Sequence, residues 1–192
     1  MIISISGFPG AGKSTVAEAL ARDLNMERFY MGQILRDKAK SMSITIEQLL
    51  GLANNDGGII DREVDHYVEE LGRTRDNFII ESRTAWHLIP QSIKIYVDVS
   101  LDEAAKRIWK DRQFNRDRNE LAAKDIEELK SQILDRVQLE KERYAKYYGI
   151  DSFDKSNFDF VINTDQIPPE EVTKRIIEFL KSVGCPCPAT TN

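Results

Sequence analysis

Apolar residues along the chain fall into short continuous runs and into stretches with helical spacing. The short runs, rich in β-branched residues, predict strands at residues 2–6, 77–81, 93–99 and 158–163. Between them, apolar side chains recur about every three or four residues. This spacing predicts helices at residues 14–24, 32–40, 44–53, 61–71 and 101–114, a long helix ending at residue 148, and a last helix at 170–183. Strands that alternate with helices predict an α/β domain whose parallel sheet is covered on both faces.

The loop between the first strand and the first helix matches the phosphate-binding pattern G-x-x-x-x-G-K-[ST]. It consists of Gly7, Phe8, Pro9, Gly10, Ala11, Gly12, Lys13 and Ser14, and Thr15 follows it. Glycines let backbone N–H groups curl around phosphate oxygens, and the helix N-terminus adds a positive partial charge. Lys13 can contact the β- and γ-phosphates, and the Ser14 hydroxyl can ligate Mg²⁺. The loop therefore predicts a nucleoside triphosphate site without specifying the reaction.

Composition and charge restrict the partners. The 192 residues carry a formal net charge of −5, so no overall positive field attracts nucleic acid or an anionic membrane. No apolar run approaches the roughly 20 residues that span a bilayer, and the N-terminus lacks the pattern of a signal peptide. The two cysteines, Cys185 and Cys187, are too close together to form a disulfide framework. We therefore expect a cytoplasmic monomer that binds small molecules and ends in a disordered tail at residues 185–192.

Arginines help to distinguish the classes of P-loop protein. A GTPase needs a guanine-recognising N-K-x-D segment, and the Asn163-Thr164-Asp165 run after the last strand lacks the lysine. A small-molecule kinase needs arginines that hold the acceptor and close over the transferred group. The candidates are Arg36, Arg83, Arg107, Arg112, Arg136 and Arg143. Arg83 directly follows a strand, at the edge where ligands of parallel sheets bind.

The last two arginines have a second interpretation. Arg136 and Arg143 share one face of the long helix, where exposed ion pairs with Asp135, Glu140 or Glu142 are equally compatible with the spacing.

The order of these motifs resembles the archaeal-type cytidylate kinases, within the adenylate-kinase-like P-loop kinases. Similar segments run from Met1 to about Val183. Besides the loop they are Gly32-Gln33-Ile34-Leu35-Arg36, Ile60-Asp61-Arg62-Glu63-Val64-Asp65, Ile80-Glu81-Ser82-Arg83, the segment from Arg107 to Arg112, Arg143-Tyr144-Ala145-Lys146-Tyr147-Tyr148-Gly149-Ile150-Asp151 and Phe160-Val161-Ile162-Asn163-Thr164. The chain departs from the family at Ser82, where glycine is usual, and at Met31, where a small residue is common.

The resemblance implies an α/β fold of the P-loop NTPase type, a three-layer sandwich with a five-stranded parallel sheet. It implies one kinase domain over residues 1–184, with a helical NMP-binding region near 32–72 and a mobile lid near 112–136. The implied reaction moves the γ-phosphoryl group of ATP, with Mg²⁺, to CMP and dCMP. Arg36 and Arg83 would hold the acceptor phosphate, and Glu81 would orient Mg²⁺ through water. The remaining arginines would neutralise the transferred group and the donor phosphates: Arg107, Arg112, Arg136 and Arg143.

Cytosine presents an amino donor at N4 beside acceptors at N3 and O2. A carboxylate with an arginine can recognise this combination, such as Asp61 or Asp65 with Arg62. Uracil would leave a buried carboxylate unpaired, which costs about 1–3 kcal/mol. Adenine also carries an amino group, so this argument does not exclude AMP. A solvated acidic helix explains these residues as well. The residues alone leave AMP open, and the resemblance favours CMP.

Two alternatives share the loop. An adenylate kinase or another small-molecule P-loop kinase differs only in its acceptor; a hydroxyl acceptor needs an acid such as Glu81 to orient or deprotonate it. A nucleotide-dependent switch would use the ATP state with little turnover, but it has no use for acceptor-phosphate arginines such as Arg36 and Arg83.

Overall fold

The computed structural model describes residues 1–53, 59–114 and 122–185. Its centre is a parallel sheet of five strands in the order β2-β3-β1-β4-β5. The strands are β1 (Ile2–Gly7), β2 (Glu27–Tyr30), β3 (Phe78–Glu81), β4 (Ile93–Asp98) and β5 (Phe160–Asn163). The helices are α1 (Lys13–Leu24), α2 (Met31–Ser41), α3 (Ile46–Ala53), α4 (Ile59–Thr74), α5 (Ala85–Leu88), α6 (Leu101–Phe114), α7 (Ile126–Tyr148) and α8 (Pro169–Ser182). The predicted α/β class and five-stranded parallel sheet are confirmed.

Helices cover both faces of the sheet because its strands carry apolar side chains on both sides. On one face, Ile3 and Ile5 of β1 pack with α1 and α8. On the other face, Ile2 of β1 and Ile80 of β3 pack with α4 and α5. Helices α6 and α7 meet around the buried Leu129. These layers form the expected three-layer sandwich.

Local signals explain where the predicted elements hold and where they shift. The predicted cap at Thr45 is confirmed: its Oγ1 accepts from the amide of Gln48 at 3.2 Å, and its own amide donates to Oε1 of Gln48 at 2.8 Å. Helix α4 extends beyond the predicted residue 71, because the amide of Arg75 still donates to the carbonyl of Leu71 at 2.9 Å. Helix α5 was not predicted, since four residues are too few to show a periodicity.

Parts of two predicted segments lie outside the described residues. The predicted lid at 112–136 begins in α6 and ends in α7, and residues 115–121 between them are not described. Cys185, which we assigned to the tail, donates its amide to the carbonyl of Leu180 at 3.0 Å and packs against the core between α1 and α8. The rest of the tail, with Cys187, lies outside the described part. In the described ranges, no helix combines the length and apolar character needed to cross a bilayer.

The central strand ends at Gly7, where the backbone requires glycine. The φ angle of Gly7 is +149°, and a Cβ placed there would lie 2.0 Å from the carbonyl oxygen of Val97 on β4. Because the obstructing atom belongs to the backbone of the neighbouring strand, a side-chain rotation cannot relieve the clash.

We expect Gly7→Ala to prevent folding or to lower the free energy of unfolding by more than about 4 kcal/mol. Urea denaturation followed by circular dichroism measures this change. The control is Gly51→Ala in α3, where an added Cβ meets no atom within 4 Å. That variant is expected to gain up to about 1 kcal/mol from the higher helix propensity of alanine. Wild-type stability in Gly7→Ala would contradict the described approach of β1 and β4.

Candidate active site

The P-loop lies at the carboxyl end of β1 and leads into α1. Gly10 and Gly12 have φ angles of 77° and 85°, in the left-handed region that glycine adopts without strain. Helix α1 begins at Lys13, and Gly12 at its N-cap has no side chain to bond the first amides. The N–H groups of the first turn are therefore available to phosphate oxygens, as the motif predicted.

The Lys13 ammonium is folded back over this loop. Its Nζ donates to the carbonyl oxygens of Gly7 at 3.0 Å and Phe8 at 2.8 Å. Burial, and secondly the nearby guanidinium of Arg83, lower the pKa of Lys13 well below its usual value. A bound phosphate would oppose both effects, because its negative charge favours the protonated amine.

A cavity of about 620 Å³ connects the P-loop with helices on both sides. On one side it is lined by α2, α3 and α4, and on the other by α6, α7 and α8. Its lining includes Lys13, Ser14, Arg36, Asp65, Glu81, Arg83, Arg107, Arg136, Glu140, Arg143, Ile167 and Val172. The cavity thus extends well beyond the space that the phosphates of one nucleotide occupy.

Glu140 of α7 gathers arginines beside the loop. Its Oε2 accepts from Nε of Arg83 at 2.7 Å, and its Oε1 accepts from Nε of Arg136 at 3.0 Å. Glu140 and Arg143 are both only 2% exposed. Burial on its own raises the pKa of Glu140, but the guanidinium groups of Arg83, Arg136 and Arg143 outweigh it and lower the pKa to about 2. The carboxylate therefore stays ionised at neutral pH.

Arg83 also reaches the P-loop directly. Its Nη1 donates to the carbonyl oxygen of Gly7, which Lys13 contacts as well. The guanidinium lies 5.1 Å from the centre of the Phe153 ring, in cation–π contact. Its carboxylate, carbonyl and aromatic partners hold Arg83 between the loop and the far side of the cavity.

Ser14 and Glu81 form the part of the site that suits a metal ion. Ser14 Oγ donates to Oε2 of Glu81 at 2.9 Å. Oε1 of the same carboxylate accepts from Nε and Nη2 of Arg28, both at 2.6 Å. A hydroxyl and a buried carboxylate are hard oxygen donors of the kind that Mg²⁺ takes directly or through water. The residues present therefore fit the metal that the resemblance implied.

The structure separates the other candidate arginines. Arg36 donates to the hydroxyl of Tyr30 at 2.5 Å and faces the cavity from α2. Arg107 of α6 contacts Thr164, which directly follows the outer strand β5: its Nη1 and Nη2 donate to Oγ1 and the carbonyl oxygen of Thr164 at 2.9 and 2.6 Å. Arg112 is on α6 but does not line the cavity among the described residues.

Of the three residues proposed to recognise the base, only Asp65 is placed on the cavity wall. Its Oδ1 accepts from Oγ1 of Thr84 at 2.6 Å, its Oδ2 accepts from the hydroxyl of Tyr148, and burial raises the pKa of its carboxyl. Arg62 is exposed on α4. The side chain of Asp61 lies outside the described part of the structure.

Two functional neighbours were missed by sequence reasoning. The helical spacing indicates Glu140 only as an exposed partner of Arg136 or Arg143, and no sequence pattern indicates a role for Arg28. The spacing of Arg136 and Glu140 was a usable signal for their contact but carried no information on burial. Arg28 has no such signal, because its partner Glu81 lies on another strand.

Comparison with known proteins agrees with this geometry. A family model described as the cytidylate kinase-like family matches residues 2–166. A cytidylate kinase of Sulfurisphaera tokodaii is 37% identical over 182 residues, which cover 94% of this chain and 95% of that protein. A cytidylate kinase of Sulfolobus acidocaldarius is 39% identical over 179 residues, which cover 92% of each chain.

Solved structures share the fold at lower identity. A shikimate kinase from Bacteroides thetaiotaomicron superposes with a TM-score of 0.62 at 19% identity, covering 94% of this chain and 98% of that one. This likeness shows a shared fold and does not identify a substrate. The family match over most of the length, together with a P-loop, arginines gathered around a buried glutamate and a hydroxyl–carboxylate pair, shows that the chain belongs to the cytidylate kinase-like family.

Proposed function

We propose that the chain transfers the γ-phosphoryl group of Mg·ATP to CMP and dCMP, giving ADP and CDP or dCDP. The observation that carries this proposal is the cluster of Arg83, Arg136 and Arg143 around Glu140, next to Lys13. A nucleotide switch has one set of phosphates to bind, whereas this cluster continues the positive charge past the P-loop into the second half of the cavity. The archaeal relatives named cytidylate kinase support the choice of acceptor.

In this reaction an oxygen of the acceptor phosphate attacks the γ-phosphorus of ATP. The bond from that phosphorus to the β,γ-bridging oxygen breaks, and ADP leaves. The attacking oxygen is already anionic, so a general base is not needed. Lys13 would neutralise the β- and γ-phosphates, while Arg83, Arg136 and Arg143 stabilise the charge on the transferred group.

The Mg²⁺ ion and the adenine ring of ATP would occupy different parts of the cavity. Mg²⁺ would be held by Ser14 directly and by Glu81 through water, and it would neutralise charge on the β- and γ-phosphates. The contact of Arg28 with Oε1 of Glu81 leaves Oε2 turned towards Ser14. The planar guanidinium of Arg107, together with the apolar Ile167 and Val172 on the cavity wall, suits the flat face of adenine.

The acceptor would lie on the side of α2 and α4. Arg36 and Arg83 would hold its phosphate, and Asp65 would accept from the N4 amino group of cytosine. Thr84 and Tyr148 each donate to one oxygen of Asp65, and each oxygen keeps a further lone pair that can accept a hydrogen bond. The O4 atom of uracil would face that carboxylate without a proton to share, so UMP is expected to be a poorer acceptor.

The test is ADP formation from Mg·ATP with CMP, dCMP, UMP, AMP and GMP supplied separately. We expect kcat/KM for CMP to exceed that for UMP by about 10-fold or more, which corresponds to one unsatisfied buried polar group. A preference for AMP would support phosphoryl transfer but would contradict CMP as the acceptor. If no monophosphate raised ADP formation, the kinase proposal itself would be wrong.

We further propose that the protein acts as a monomer in the cytoplasm, without nucleic acid. The site is assembled from residues of one chain, and the net charge of −5 gives no attraction to polyanions.

A further inference from the structure

The clustered arginines of the site repel one another before any substrate binds. Arg83 and Arg136 lie near Lys13, and both share the buried Glu140 with the buried Arg143, so four cationic side chains converge where the protein screens their repulsion less than bulk water would. A site of this kind would expand or turn its cations outwards unless an anion held them.

Glu140 is such an anion, and its contacts are specific. Its side chain is 3% exposed, and its two oxygens accept from arginines on different segments, Arg83 after β3 and Arg136 on α7. Both arginines contact it through Nε, which lies at the base of the guanidinium fork. A bond at Nε fixes the plane of the guanidinium and therefore the direction of its terminal nitrogens.

We propose that Glu140 is a positioning residue for phosphoryl transfer, whose carboxylate holds Arg83 and Arg136 in place beside the P-loop until phosphates supply the negative charge. The inference deepens the proposed kinase function and rests on it. Glu140 does not need to touch the reacting atoms. It sets the orientation of the groups that do, and orientation before binding is what makes electrostatic stabilisation effective in the transition state.

If Glu140 has this role, Glu140→Gln lowers the stability of the empty protein and increases the stabilisation that a bound anion provides. The amide keeps one acceptor oxygen but loses the charge, so the arginines lose both their orientation and their counter-charge. The empty variant therefore unfolds more easily than the wild type. A small divalent anion in the site stabilises the variant more than it stabilises the wild type, because it replaces the missing negative charge. Turnover falls because the guanidinium groups are no longer fixed, whereas binding of anionic substrates is not weakened.

The experiment compares Glu140→Gln with Glu142→Gln, which removes the same charge from an exposed position two residues along the helix. Thermal unfolding is measured while sodium sulfate replaces sodium chloride at constant ionic strength. Without sulfate we expect Glu140→Gln to melt about 6–12 °C below the wild type. Sulfate should recover at least half of that loss, whereas Glu142→Gln should follow the wild type throughout.

Steady-state kinetics supply the second readout. We expect kcat of Glu140→Gln to fall about 10- to 100-fold, with KM for ATP and CMP unchanged or lower. Wild-type kcat, or a sulfate response equal to that of the wild type, would overturn the proposal. If Glu140→Gln does not fold, Glu140→Asp keeps the charge and shortens its reach; wild-type kcat in that variant would also overturn it. The sulfate response does not require CMP to be the acceptor, so a failure of the proposed function would be seen separately.

Discussion

Replacing Lys13 by alanine is expected to lower kcat for ADP formation by at least about 1000-fold. Nζ of Lys13 donates to two carbonyl oxygens of the loop and lies near Arg83, so its ammonium is positioned where the β- and γ-phosphates would enter. The negative charge of bound phosphates favours the protonated amine and so opposes the effects that lower its pKa, and alanine offers no such group.

Steady-state turnover with saturating Mg·ATP and CMP measures this loss, and calorimetric titration with ATP shows whether binding persists. Lys174→Ala on the exposed side of α8 is the matched control and should retain wild-type turnover. A Lys13→Ala enzyme that kept a tenth of the wild-type kcat would contradict the role of this amine.

Replacing Arg83 by alanine is expected to lower kcat/KM for CMP by about 100- to 1000-fold and to weaken ATP binding far less. Arg83 contacts the P-loop at Gly7 and the buried Glu140, so its guanidinium stands between the donor phosphates and the acceptor half of the cavity. Arg83→Lys should restore only part of the activity, since a lysine cannot bond both sides through a planar fork.

The control for Arg83 is Arg75, which has the same types of partner away from the cavity. Arg75 pairs with Glu27 at 2.9 Å and lies 5.6 Å from the centre of the Phe29 ring. Arg75→Ala should therefore leave acceptor kinetics unchanged. If Arg83→Ala also left them unchanged, Arg83 would not serve the acceptor, and a kinase with a hydroxyl acceptor would become the better hypothesis.

The features that sequence reasoning found are those carried by local patterns. The P-loop is one contiguous segment whose function follows from its own backbone, and the cap at Thr45 depends on a residue only three positions away. Arg83 could be placed because a side chain that follows a strand of a parallel sheet lies at the ligand-binding edge. In each case the information lies within a few residues.

The features that sequence reasoning missed depend on burial and on contacts between distant segments. In the sequence, Glu140 is one of several acidic residues on a highly charged helix, and only the packing of α7 beside the P-loop distinguishes it from the exposed Glu142. Arg28 reaches Glu81, 53 positions away along the chain, because β2 pairs with β3. The sequence around neither residue indicates this contact.

The position of β1 in the sheet also bears on when the protein can fold during synthesis. The strand that carries the P-loop emerges from the ribosome before the other four strands of the sheet, yet it lies in the middle of that sheet, with Ile2 paired to Phe78 and Ile3 paired to Ile93. Both of its hydrogen-bonding edges therefore stay open until β3 and β4 have emerged, and non-local pairings of this kind form slowly. A nascent chain that ends before Asp98 cannot hold the P-loop in its binding geometry. The first strand of this sheet to be synthesised is thus among the last to reach its functional position.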